Sequence, residues 1–234
     1  MRIGVGNGWR GLATAVLLTG VATGCGEGGK GSAGAGVSAG AESEAAATAT
    51  ATETAKGAVG RGGSVGAAGS ACELPVTFDT AKSWEAEAIA AADRKGDTGN
   101  ELTDELAEAL LHQGPVTMAC EIDAKPAGNI GYLRVWTGKP GDADARAVLE
   151  QFVKAGTAPS GARYSAFKAG GLSGAEVEYI TTSKILEESK KERALAVNTP
   201  EGPVVLHLGG LDTGEHEAML PAYQLAKSTL KATG

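Results

Sequence analysis

Residues 72–234 predict an α+β fold, an antiparallel sheet flanked by helices. Two segments space their apolar residues as amphipathic helices do. Around them, short apolar or alternating runs are joined by turn residues at hairpin spacing. Size agrees as well: a stretch of this length buries roughly 70% of its extended-chain surface, enough for one independent core.

The elements follow in order. Cys72 precedes a first strand, Pro75–Thr80. Ser83–Ile89 is open, because Trp84 can begin a strand or a helix. Leu102, Leu106, Ala109 and Leu110 fall at i, i+4, i+7 and i+8, a helix over 102–113 that Gly114-Pro115 stops. Val116–Ile122 and Ile130–Trp136 are strands about the turn Lys125-Pro126-Ala127-Gly128-Asn129, which places Cys120 mid-strand. Asp142 or Asp144 caps the next helix, whose apolar stripe is Ala145, Val148, Leu149, Phe152 and Val153 and which ends near Gly156. Arg163–Lys168 and Ala175–Thr182 are strands on either side of a glycine-rich break, with Glu176 and Glu178 on a wet face. Ser183–Lys191 interleaves both signs of charge and reads as a solvated loop. Arg193–Val197 and Val204–Leu208 form a hairpin across Thr199-Pro200-Glu201-Gly202. Asp212 and Glu215, at capping-box spacing, open a last helix in which Met219, Ala222, Tyr223, Ala226 and Leu230 face the sheet. Pro221 lies inside it, a place for a start or a kink.

Composition narrows the function. Formal charge is −7, which excludes an ordinary nucleic-acid binder, and 42% hydrophobic residues exclude a multi-spanning membrane protein. Residues 26–71 are different in kind: 36 of these 46 are Gly, Ala, Ser or Thr, with no aromatic residue, Leu or Ile. Such a stretch buries too little apolar surface to offset its ordering entropy, so a disordered tether is expected. Gly24–Gly31 nearly spells a phosphate-binding loop, but Gly31 replaces the required Ser or Thr and no strand precedes it.

Residues 1–24 have the layout of a signal peptide, with Arg2 and Arg10 in the n-region and an apolar run beginning at Gly11. The run ends in Val21-Ala22-Thr23-Gly24-Cys25, which resembles the lipobox of bacterial, here actinobacterial, lipoproteins. The resemblance implies cleavage between Gly24 and Cys25 and a diacylglyceryl group on the Cys25 thiol. Two acyl chains would hold the protein in the outer leaflet of the cytoplasmic membrane, so membrane lipid is the first partner. An uncleaved anchor and an ordinary secretory cleavage are the alternatives. With Cys25 acylated, Cys72 and Cys120 remain as a pair in an oxidising compartment. Removing Arg2 and Arg10 leaves 19 basic residues against 28 acidic, a mature charge near −9, so charge would not draw the chain to anionic lipid.

Leu74-Pro75-Val76-Thr77-Phe78 followed by Trp84 resembles the opening of the Mog1/PsbP-like families, which include mycobacterial LpqN-type lipoproteins. Similar too are Val177-Glu178-Tyr179, the charged loop, Pro200-Glu201-Gly202 with its flanking strands, and Ser228-Thr229-Leu230. The similarity spans most of 74–231, and the helix at 102–113 departs from it. It implies an α/β/α sandwich used for binding, with no shared catalytic residues.

Catalytic constellations are not evident. No G-x-S-x-G elbow occurs, and Ser165 and Ser173 lack that setting. His207 sits in a strand without a nameable partner, and His112 and His216 lie near helix ends, where surface placement is the default. Glu176 and Glu178 read as edge carboxylates serving solubility. No cysteine or histidine has a partner at metal-ligand spacing, and neither a metal nor a cofactor is expected. Trp84, Tyr132, Trp136 and Tyr164 are either core or the lining of a groove for an unidentified envelope protein or ligand. The expectation is a non-catalytic, membrane-anchored binding domain. An apolar-ligand carrier, with a large pocket between sheet and helix, is the alternative, and an envelope hydrolase a weaker one.

Overall fold

The computed structural model describes residues 59–90, 105, 109–142 and 144–233. The expected signal peptide, Cys25 and the expected tether as far as Ala58 lie outside them. So does most of the segment 91–108, which holds the start of the expected 102–113 helix; Glu105 and residues 109–111 are helical.

Two α-helices, a short 3-10 helix at Lys125–Ala127 and eleven strands complete the described fold: β1 Arg61–Val65, β2 Val76–Ala81, β3 Glu85–Ala88, β4 His112–Gln113, β5 Val116–Asp123, β6 Gly131–Gly138, α1 Ala145–Ala155, β7 Ser160–Ala169, β8 Leu172–Ser183, β9 Glu188–Thr199, β10 Gly202–Gly210, α2 Thr213–Thr229 and β11 Lys231–Ala232. The main sheet runs β3-β5-β6-β10-β9-β8-β7, with β4 also paired to β5, and a second sheet runs β1-β2-β11. The named strands pair antiparallel throughout. The α+β class expected from the sequence is the class observed.

The main sheet separates two cores. On one face α1 buries Val148, Leu149, Phe152 and Val153 against Met118, Trp136, Val177 and Ala196. On the other, α2 and the small sheet bury Tyr223, Met219, Phe78 and Val76 against Leu133, Leu195, Leu206 and Leu208. Each side chain fully buried this way contributes roughly 1.5–3 kcal/mol. Strand β10 is central and covered on both sides, so Val204 to Leu208 reads as a continuous apolar run interrupted only by His207.

A bulge decides where Cys120 points. Met118 pairs with Trp136 and Cys120 with Val135, leaving Ala119 as the extra residue. A one-residue insertion flips the alternation. Val116 and Met118 therefore face α1, whereas Cys120 and Ile122 face the opposite core. There Cys120 forms a disulfide with Cys72, Cα–Cα 6.0 Å, tying the loop after β1 to the main sheet.

Four expectations need correction. The tether does not extend to Ala71, because Arg61–Val65 pairs with β2 and Arg61 forms an ion pair with Asp79. Its glycines are required by contact: a Cβ on Gly62 would lie 2.5 Å from the Ala81 carbonyl oxygen, and Gly66, at φ +103°, has Val76 O where a Cβ would go. Second, His112–Gln113 is a strand rather than the end of a helix. Third, Glu188–Lys191 belongs to β9, so the charged loop shrinks to the turn between β8 and β9. Fourth, Glu176 and Glu178 are not edge carboxylates: β7 lies outside β8, Lys227 of α2 reaches Glu176, and Arg163 and Arg193 clamp Glu178. The Arg193 hydrogen bond is the main reason the Glu178 carboxyl lies below its usual range.

Both helix caps form as the sequence predicts. Asp144 Oδ1 accepts from Ala147 N at 2.7 Å, and Asp212 Oδ1 from Glu215 N at 2.8 Å. Glu215 does not close the capping box; its Oε2 accepts from Ile130 N at 3.0 Å instead. Helix α2 begins well before Pro221 and continues past it. Among the described residues no helix is long and apolar enough to cross a membrane.

Candidate functional site

Helix α1 covers only part of its face of the sheet. It ends at Ala155, and beyond it the strands form the floor of a cleft of about 770 Å³. Strand parity selects the floor. Tyr179, Glu192 and His207 lie on the same face as Val177, Ala194 and Val205, which face α1, but they sit where the helix has stopped. Glu121, Asp123 and Tyr132 continue the floor across β5 and β6.

The centre of the floor is a buried polar cluster. Glu192 is 4% exposed. Its Oε2 lies 2.8 Å from His207 Nε2, and its Oε1 is 3.0 Å from Lys190 Nζ and 3.4 Å from Thr181 Oγ1. Burial pushes the Glu192 carboxyl up; the opposing charges of His207 and Lys190 and their hydrogen bonds outweigh it and hold the group below its usual range. Tyr179 OH lies 3.3 Å from the same His207 nitrogen. Burial, then the Glu192 charge, raises the Tyr179 hydroxyl so far that it keeps its proton. Lys190 also donates to Gly210 O at 2.7 Å.

This geometry differs from a catalytic relay. A relay needs one imidazole nitrogen on the carboxylate and the other on a nucleophile. Here Glu192 and Tyr179 both engage Nε2, while Nδ1 is buried without a hydrogen-bond partner and the ring packs edge-on against Phe152 at 5.5 Å. The imidazole is held as a hydrogen-bond partner of the Glu192 carboxylate. Among the described residues no three His, Cys, Asp or Glu side chains converge as a metal site requires.

The four aromatic residues read as either core or groove lining do not come together. Trp84 is in the core under α2, and Trp136 is in the core under α1, in edge contact with Phe152 at 5.5 Å. Tyr164 packs beside that second core beneath the Arg146 guanidinium, 3.9 Å from its ring centre. Tyr132 alone lines the cleft, with the Arg134 guanidinium 3.6 Å above its ring. His216, expected at the surface, is 1% exposed, on the buried side of α2. Burial is the chief cause that lowers it to about 4. Tyr179 and Glu192 were missed. The signal for Glu192 was its parity with Ala194 and Ala196, hidden by starting that strand at Arg193.

Fold and site together define an α+β domain whose sheet is closed on one face and open over part of the other. A family model described as "Uncharacterised lipoprotein" matches residues 41–230, and the chain belongs to that family. The solution structure of cyanobacterial PsbP (CyanoP) from Synechocystis sp. PCC 6803 is similar at TM-score 0.44 and 11% identity, over 68% of this chain and 87% of that one. No curated protein matches the chain.

Proposed function

We propose that the protein is a bacterial envelope lipoprotein, lipidated at Cys25 on the outer leaflet, whose folded domain is a non-catalytic binding module. Membership of a lipoprotein family supports the first half, and the lipobox-like Val21–Cys25 supplies the attachment point. The observation that carries the second half is the cleft. Its polar floor is already neutralised internally, Glu192 by His207 and Lys190, while Ile130, Leu186 and Leu211 give its mouth an apolar rim. A ligand with an apolar body and a hydrogen-bonding end fits that division, which also favours the carrier alternative.

Two measurements test the reading. Intact mass of the mature protein is expected to show a chain starting at Cys25 and carrying a diacylglyceryl thioether; an unmodified or different amino terminus overturns the anchor. The neutral fluorophore N-phenyl-1-naphthylamine is expected to brighten on binding the purified protein. Thr181→Trp, which fills the cleft beside Glu192, should abolish that signal. Brightening unchanged in the filled variant overturns the cleft as the binding site.

A further inference from the structure

Six large apolar side chains are exposed among the described residues. Three of them, Ile130, Leu186 and Leu211, line one cleft, and Ile185 adjoins Leu186. Ile130 and Leu211 are joined, Leu211 N donating to Ile130 O at 2.9 Å. Leu186 comes from the turn between β8 and β9, where pairing ends at Ser183 and Glu188. Apolar residues around one opening mark an interaction surface, whereas singly scattered ones need no explanation.

The fold does not need these side chains. Ile185, 93% exposed, and Leu186 belong to neither core. The turn is set by its neighbours: Leu186 N donates to Ser183 Oγ at 3.2 Å, and Glu187 supplies the left-handed residue at φ 53°. Turn chemistry favours polar residues at such a tip. Two adjacent branched hydrocarbons there serve something outside the chain.

We propose that this mouth docks on a lipid bilayer, the Ile185–Leu186 tip entering the interface with Ile130 and Leu211 beside it. The choice of a bilayer over a protein rests on the lipoprotein reading above. A chain held at Cys25 reaches the first strand after about 35 residues, and even fully extended a chain of that length spans no more than about 125 Å. That confinement gives a weak contact a high effective concentration. The tip carries no basic patch: Lys184 stands beside Glu187 and Glu188, while Lys190 and Lys191 are paired with Glu192 and Glu217, so the contact is apolar rather than ionic. The acidic surplus of the whole chain makes anionic lipid oppose it. Docked in this way, the cleft opens toward the membrane.

The test uses the mature chain, residues 25–234, with Cys25→Ala, so that neither an acyl chain nor the apolar leader contributes, in flotation with phosphatidylcholine vesicles at millimolar lipid. Part of the protein should float. Ile185→Ser with Leu186→Ser should lower the partition coefficient at least tenfold at unchanged urea midpoint, and Lys184→Ala should change it less than twofold. Replacing a third of the lipid by phosphatidylglycerol should weaken flotation, and salt should restore it. With Ile185→Trp, emission should shift blue on lipid and be quenched by brominated acyl chains. Absence of flotation, equal flotation of the double serine variant, or binding that requires anionic lipid and is lost in salt overturns the docking. None of these outcomes touches the mass test at Cys25, so the two readings fail separately.

Discussion

The two faces of the main sheet are built to different ends. The α2 face is closed: a 17-residue helix, a three-stranded sheet and the Cys72–Cys120 bond cover it, and Lys227 pairs with Glu176, while His216 Nδ1 and Thr77 Oγ1 are buried without a hydrogen-bond partner. The α1 face carries an 11-residue helix that leaves part of the strands as a cleft floor. A sheet needs apolar cover for stability, but one face fully covered and the other partly covered suffices for a domain of this size. The uncovered strand ends can then hold polar residues such as Glu192 that satisfy one another.

The comparison breaks most visibly at the disulfide. Replacing both Cys72 and Cys120 by Ser should cost about 4 kcal/mol in the chain-entropy model for a separation of 48 residues. Urea unfolding should show that loss, while binding of the naphthylamine fluorophore to the folded protein persists, since the bond lies on the opposite face from the cleft. Loss of the probe site in proportion to stability would mean that the two faces are not separable.

Next in size is the buried histidine of the closed face. His216 lies at about 4 in the folded protein, against an ordinary value near 6.5. The folded state therefore binds fewer protons than the unfolded chain between those values. The stability this site contributes is present above pH 6.5 and is lost as pH falls toward 4. The full loss is about 3 kcal/mol, and with 1% of the residue exposed, solvent screening takes little from it. His216→Leu should flatten the stability profile between pH 6.5 and 4; an unchanged slope would place the titration elsewhere.

What the sequence revealed divides along the same line. Helix α1, helix α2 and both Asp caps were legible because a 3.6-residue apolar period and a cap are local signals. The pairing of Cys72 with Cys120 was legible by arithmetic, once Cys25 was assigned to lipid. Strand β1 was not, because Arg61-Gly62-Gly63-Ser64-Val65 has little strand propensity, and the closeness of β2 that requires glycine at 62 and 66 is a tertiary fact. The cleft was not legible either. His207 looked partnerless because Glu192 lies 15 positions away, brought beside it by the β9–β10 hairpin. Of the four aromatic residues read as core or groove lining, Trp84 and Trp136 are core, on opposite faces of the sheet.

The smallest effect is expected on the open face, at Glu192. Its folded carboxyl lies below the usual value of 4.5, so its contribution is present above pH 4.5 and is lost as pH falls through the lower folded value. Glu192→Gln keeps the shape and one acceptor but removes the charge that His207 and Lys190 share. Hydrogen bonds to a charged group contribute about 1.5–3 kcal/mol each, and His207 and Lys190 both retain routes to other partners, Tyr179 OH and Gly210 O. A net cost of about 2 kcal/mol is expected at pH 7, shrinking below pH 4.5 as the wild-type carboxyl takes up its proton. Chemical denaturation at a series of pH values reads both quantities. A cost that stays constant down to pH 3 would show that the carboxyl acts by shape rather than charge, and the polar floor would then lose its distinction from the packed face behind it.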